Sequence, residues 1–76
     1  MEFVRFDVDY IDEDGGVHDG GIDMSLSEAL KEAKGVLNKE RERGGKALTA
    51  RIYQVQCQHV LSCTIHGEFK VEWRFA

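Results

Sequence analysis

Apolar and polar residues alternate with a period of two along the first part of the chain. In residues 2–11, one side of this alternation carries four apolar residues: Val4, Phe6, Val8 and Tyr10. Alternation of valine and aromatic residues with polar ones predicts a half-buried strand. The segment Asp-Glu-Asp-Gly-Gly at 12–16 predicts a turn, after which residues 17–24 return as the second strand of a hairpin. Gly20 and Gly21 predict a bulge or a kink in this second strand.

A helix is predicted to begin at Ser25. Ser25 and Glu28 have the spacing of a capping box, and Met24 and Ala29 have that of a hydrophobic staple. Apolar residues then recur along one helical face: Leu26, Ala29, Leu30, Ala33 and Leu37, with Val36 beside them. Gly44-Gly45 predicts a left-handed end to the helix.

Three more strands are predicted after the helix, at 47–57, 59–65 and 68–75, with His66-Gly67 as a tight turn between the last two. The first of these strands carries two apolar sets with different facing, and a bulge near Ile52-Tyr53 would let both point inward: Leu48, Ala50 and Ile52, then Tyr53, Val55 and Cys57. In the other two strands, the side chains expected inside are Leu61, Cys63, Ile65, Phe69, Val71, Trp73 and Phe75. Those expected in water are Glu68, Lys70, Glu72 and Arg74.

These elements predict one α+β domain over residues 1–76, in the order β-β-α-β-β-β, with one helix packed on a mainly antiparallel sheet. The connection through the helix could cross over to a parallel neighbour or simply join two hairpins. No apolar run approaches the roughly 18–20 residues of a membrane span. We therefore expect an unanchored cytoplasmic protein.

Charge is distributed unevenly along the chain. Residues 1–23 hold eight acids and one base, whereas residues 24–76 hold six acids and nine bases, which together give the net charge of −4. Such asymmetry predicts a negative surface that suits a basic partner and argues against this part gripping nucleic acid. The alternative interpretation is simple solvation of an outer sheet face. The predicted partner-binding acids are Asp7, Asp9, Asp12, Glu13, Asp14, Asp19 and Asp23.

Candidate metal and catalytic motifs are weak. Cys57, His59, Cys63 and His66 could in principle complete a zinc shell, but their spacing lacks the tight knuckle of structural zinc sites. Buried thiols and surface imidazoles are the favoured interpretation, and a reducing cytosol would disfavour a disulfide between the two cysteines. The acids from Asp12 onward do not match a calcium-binding loop. With no nucleophile elbow or phosphate loop either, we expect neither a cofactor nor an enzymatic activity.

Two other features leave alternatives open. A basic region on the outer helix and the following loop could contact phosphate, as in a small nucleic-acid-binding or regulatory module. Its members are Lys31, Lys34, Lys39, Arg41, Arg43, Lys46 and Arg51. Residues 52–67 contain no Asp, Glu, Lys or Arg, which would suit a protein contact or the seam of a homodimer, because charges are depleted at interface cores.

The chain resembles small phage and mobile-element proteins in its hairpin, its capped helix and its following strands. The residues that carry the resemblance are Ser25-Leu26-Ser27-Glu28-Ala29-Leu30, Ala50-Arg51-Ile52-Tyr53 and Val71-Glu72-Trp73. Some anti-CRISPR inhibitors of bacterial Cas effector complexes are similar in size and layout. The resemblance implies a protein, monomeric or homodimeric, that works in a bacterial host cell. It would bind a Cas effector subunit through an acidic face and block binding of target DNA, its carboxylates standing in for phosphates.

Overall fold

A computed structural model of the protein describes residues 2–45, 48–59 and 62–73, with residues 71–73 described by their backbone alone. The elements are β1 (Phe3–Asp12), β2 (Val17–Asp23), α1 (Leu26–Glu42), β3 (Leu48–His59) and β4 (Ser62–Trp73). The strands form one antiparallel sheet in the order β2-β1-β3-β4. The helix packs on one face of this sheet, which confirms the predicted α+β class. We call that face the helix face and the opposite one the open face.

The helix makes a crossover connection. Both β2 and β3 pair with β1, and both pairings are antiparallel. The two strands that the helix joins therefore run parallel to each other with β1 between them, and the helix passes over β1. This geometry settles the connection that the sequence left open.

The core lies between α1 and the two central strands. Phe6, Val8 and Tyr10 of β1 are buried on the helix face. On the neighbouring strand β3, the buried residue Ile52 lies opposite Val8, and the buried residue Ala50 lies opposite Tyr10. The predicted apolar stripe of the helix supplies the other side of this core: Ala29, Ala33 and Leu37 fully buried, with Leu26, Leu30 and Val36 packed at the edges. Alanine on both the helix and the sheet lets them approach closely, so even one methylene added to these side chains would lower the stability of the protein.

The last two predicted strands are a single strand, and the predicted turn at His66-Gly67 is wrong. Val55 lies opposite Ile65, while Gln54 lies opposite Gly67, so His66 is an extra residue in β4. This bulge absorbs the irregularity that His-Gly introduces without reversing the chain. The chain reverses instead between His59 and Ser62, and the described sheet has four strands where the sequence predicted five.

The predicted bulge near Ile52-Tyr53 is also wrong. The pairing of β3 with β1 runs without a register shift from Leu48 to Cys57, so the two apolar sets of β3 lie on opposite faces. On the other side of the His66 bulge, Phe69 occupies the helix-face position opposite Ile52. Three of the residues predicted inside are exposed instead: Cys63 and Ile65, and also Phe69, although Phe69 does lie on the helix face. The predictions for Leu61, Arg74 and Phe75, and for the side chains of Val71, Glu72 and Trp73, lie outside the described part of the chain.

The predicted irregularity at Gly20-Gly21 is confirmed. Gly21 lies opposite Val8 and Asp19 opposite Asp9, so Gly20 is the extra residue of a bulge in β2. A Cβ atom at Gly20 would lie 2.7 Å from Tyr10 Cε2 and 2.7 Å from the Val8 carbonyl oxygen. Close approach of backbone and ring therefore requires glycine at this position.

Both predicted ends of the helix are confirmed. Ser25 Oγ accepts a hydrogen bond from the Glu28 backbone N–H at 3.1 Å. At the other end Gly44 has φ 68°. The Gly44 N–H donates to the Arg41 carbonyl at 3.0 Å, and the Gly45 N–H donates to the Glu40 carbonyl at 2.8 Å, which is the bonding pattern of a Schellman motif.

Two exposed glycines should respond oppositely to the same substitution. Gly44→Ala places a Cβ in the left-handed region and should lower the free energy of unfolding by about 1 kcal/mol. Gly35 lies inside α1, and a Cβ added there would have no neighbouring atom within 4 Å. Gly35→Ala should therefore raise the free energy of unfolding by about 0.4–1 kcal/mol. Urea denaturation measures both. A Gly44→Ala protein as stable as the parent would contradict the assigned helix end.

Candidate binding surfaces

The seven acids predicted to bind a partner do not share one surface. Some form ion pairs on the open face, some are used inside the β1–β2 hairpin or against the helix, and some are exposed at one edge of the sheet. The ion-paired acids are Asp7 and Asp9. The acids used inside the hairpin or against the helix are Asp12 and Asp23. The exposed acids are Glu13, Asp14 and Asp19.

The open face of β1 carries neutralised carboxylates. Asp7 Oδ1 lies 2.9 Å from Arg5 Nε. Asp9 accepts two hydrogen bonds from Arg51, at 2.9 Å from Nε and 3.1 Å from Nη2. The Arg51 guanidinium also lies 5.5 Å from the centre of the Tyr53 ring, and its hydrogen bonds to Asp9 raise the pKa of Arg51. This part of the sheet is an ion-paired surface, so Asp7 and Asp9 present little net charge to a partner.

Asp12 organises the hairpin turn. Its Oδ1 accepts hydrogen bonds from the backbone N–H of Asp14 at 2.9 Å and from that of Gly16 at 2.8 Å. Its Oδ2 lies 2.8 Å from Nε2 of His18. These bonds, chiefly the one with His18, lower the pKa of the Asp12 carboxyl. Asp12 therefore holds the turn in shape.

Asp23 faces the helix. The carboxyls of Glu32 and Asp23 face each other; the hydrogen bond that they share when Glu32 is protonated, followed by burial, raises the pKa of Glu32. Tyr10 is buried near the same two carboxyls, and its burial, with their charges, raises the pKa of the phenol to about 12. A Cβ at Gly21 would lie 2.8 Å from Glu32 Oε1, so glycine leaves the room that this carboxyl pair occupies.

The exposed acids adjoin exposed apolar side chains. Val17 is 59% exposed and Ile22 is 63% exposed, and register places both on the open face of the edge strand β2, on either side of Asp19. Glu13 and Asp14 are exposed in the turn that precedes this strand. We call this surface the acidic edge; its residues are Glu13, Asp14, Val17, Asp19 and Ile22. Exposed apolar side chains mark a contact surface when they lie together within a polar rim, and Val17 and Ile22 lie on the same face of one strand.

A groove of about 530 Å³ lies between the hairpin turn and the end of the helix. Its described lining consists of Tyr10, Asp12, Asp14, His18, Val36, Glu40, Arg43, Gly45 and Leu48. Four of its ionisable groups form two pairs: His18 binds Asp12, and Arg43 binds Glu40 at 2.6 Å. No serine, threonine, cysteine or lysine is among these described lining residues.

The described residues of the uncharged segment, 52–59 and 62–67, belong to β3 and β4. Here Cys57 and Cys63 lie opposite each other with their Cα atoms 4.1 Å apart, and a disulfide joins them. The expectation of two free thiols is therefore wrong. The reason is geometric: adjacent antiparallel strands bring directly opposed residues within disulfide range, whereas the expectation of thiols came from the compartment alone.

The same bond bears on the zinc hypothesis. Thiolates bind zinc, and in the disulfide neither sulfur is a thiolate. Among residues 2–45, 48–59 and 62–73, no three His, Cys, Asp or Glu side chains are grouped so that they could hold a metal ion. Within the same ranges, no helix has the length and apolar character needed to cross a membrane.

Comparison of the chain with models of protein families gave no match, and neither the curated proteins nor the solved structures contained a significant similarity.

Sequence patterns pointed to the acids but missed the apolar part of the acidic edge. Val17 and Ile22 are separated by five positions, so strict alternation puts them on opposite faces. The Gly20 bulge restores them to the same face. The glycine pair was the signal, because a bulge of one residue inverts the facing of everything beyond it.

The Glu32–Asp23 pair predicts a pH-dependent stability. A carboxyl whose pKa is raised on folding contributes stability below its unfolded pKa, and this is lost as pH rises through the folded value. Glu32→Gln keeps a hydrogen-bonding group and removes the charge, so it should raise the melting temperature at pH 7 by roughly 2–4 °C. At pH 4 the difference should vanish. Glu28→Gln is the control, since its charge favours the helix N-terminus and its removal should give no gain. Equal responses of the two variants would contradict the pairing.

The disulfide should stabilise the protein. Closing a loop this short corresponds to roughly 2 kcal/mol of unfolding free energy, so reduction should lower the melting temperature by about 8–16 °C. Calorimetry with and without a phosphine reductant measures the shift. The Cys57→Ala/Cys63→Ala variant should melt at the same temperature in both buffers. Two alkylatable thiols in the untreated, denatured protein would show that the bond does not form.

Proposed function

We propose that the protein acts by binding another protein through the acidic edge, without catalysis. The observation that carries this proposal is the placement of Val17 and Ile22 around Asp19 on an edge strand. Aliphatic side chains supply area that is removed from water on binding, while carboxylates select a basic partner. A purely solvated sheet face would not need two aliphatic side chains that are more than half exposed.

We further propose that the partner is a subunit that holds nucleic acid in a basic channel, such as a bacterial Cas effector subunit. The charge distribution supports this, because the first 23 residues hold eight acids and one base. Asp7 and Asp9 are half-buried and bind Arg5 and Arg51. Glu13, Asp14 and Asp19 are exposed, so the proposed contact with the basic channel is made by these three carboxylates in place of phosphates.

A charge-reversal variant tests the proposal. Glu13→Lys/Asp19→Lys should weaken inhibition of target-DNA binding by about tenfold or more, since attraction to a basic channel becomes repulsion. The inhibition by the parent protein should also fall with added salt. The measurement is DNA retention by purified Cas effector complexes, titrated with each variant.

The matched control is Glu2→Lys/Glu42→Lys, which makes the same change in net charge at two exposed positions outside the acidic edge. It should inhibit as the parent does. Equal loss in both variants would mean that only net charge matters. Absence of inhibition by the parent protein, together with direct retention of DNA or RNA in a gel shift, would favour the basic helix side as the functional surface.

A further inference from the structure

The strand β4 forms the second edge of the sheet, and its outer backbone groups have no partner strand in the described chain. The strand at the opposite edge, β2, is short, carries acids and is interrupted by the Gly20 bulge, which are the features that discourage strand addition. In β4, by contrast, the His66 bulge leaves residues 67–73 as an uninterrupted edge. An edge of this kind can accept another strand.

The charges of β4 are self-complementary. Glu68 and Lys70 flank Phe69, and register places both on the open face, opposite Tyr53 and Arg51 respectively. Both side chains are exposed, and the charge of Glu68 also acts on Arg51 of the same chain. If two copies of β4 pair in antiparallel fashion about a two-fold axis through Phe69, each Glu68 lies directly opposite the Lys70 of the other copy. Two identical ion pairs then form across the axis.

Phe69 supports the same register. It lies on the helix face, opposite Ile52, and remains 38% exposed. On a two-fold axis its ring would adjoin the ring of the second copy, and aromatic residues that face each other across strands attract. The arrangement thus covers an apolar side chain on one face and pairs charges on the other.

We propose that the protein forms a homodimer by antiparallel pairing of two β4 edges, centred on Phe69. The occupant of the edge is a second copy of this chain, because the order Glu68, Phe69, Lys70 is complementary to itself in antiparallel pairing. The proposal does not depend on the acidic edge, which belongs to β2 and the turn before it, at the other edge of the sheet.

Sedimentation equilibrium with two single charge reversals tests the proposed register. The parent protein should show a concentration-dependent dimer. In Glu68→Lys, each introduced lysine would face the native Lys70 of the other copy. In Lys70→Glu, each introduced glutamate would face the native Glu68. Each variant alone should therefore dimerise about tenfold more weakly or worse, because two attractions become two repulsions.

Recombining the charges provides the control. An equimolar mixture of the two variants should form a heterodimer with the affinity of the parent, since every lysine at positions 68 and 70 of one chain then faces a glutamate of the other. The double variant Glu68→Lys/Lys70→Glu should homodimerise as the parent does. A parent protein that stays monomeric, single variants that dimerise like the parent, or a mixture that stays monomeric would each overturn the proposal. Circular dichroism confirms that every variant is folded.

Discussion

The register between β1 and β3 is the constraint on which the rest of this structure depends. Ten consecutive residue pairs run from Phe3 opposite Cys57 to Asp12 opposite Leu48. This one ladder decides which side chains meet α1 and which meet Arg51 on the open face. Because side chains alternate strictly, a shift of one residue would exchange the two sets and bury Asp7 and Asp9 under the helix. The ion pairs and the core are thus two results of a single alignment.

Much of the fold could be read from local chemistry. The alternation in β1, the Ser25 cap, the apolar stripe and the Gly44 stop are each encoded within a few residues, and each is confirmed. Local signals suffice there because helix ends and strand periodicity depend on near neighbours. The class of fold followed from the order of these elements.

The errors arose where the outcome depends on pairing across the sheet. His66-Gly67 has the composition of a turn, and only the partner residues Gln54 and Val55 reveal it as a bulge. The partners of Asp9 and the bond between the cysteines likewise follow from which strands are adjacent. Strand order is a global property, so no spacing within one segment reports it. This is also why the acids looked like a single surface in sequence and divide among three environments in the fold.

The His66 bulge has a consequence for how the sheet is covered. It changes the parity of β4, so that Ile65 belongs to the open face and Phe69 to the helix face. The strand β4 thereby contributes apolar side chains to both faces of the sheet, at different positions along its length. On the helix face, Ile52 is buried. On the open face, the buried residues are Val55 and Cys57, and Cys57 is one half of the disulfide. On the open face, therefore, two buried residues of β3 lie next to a covalent bond between strands, whereas on the helix face the buried residues lie under α1.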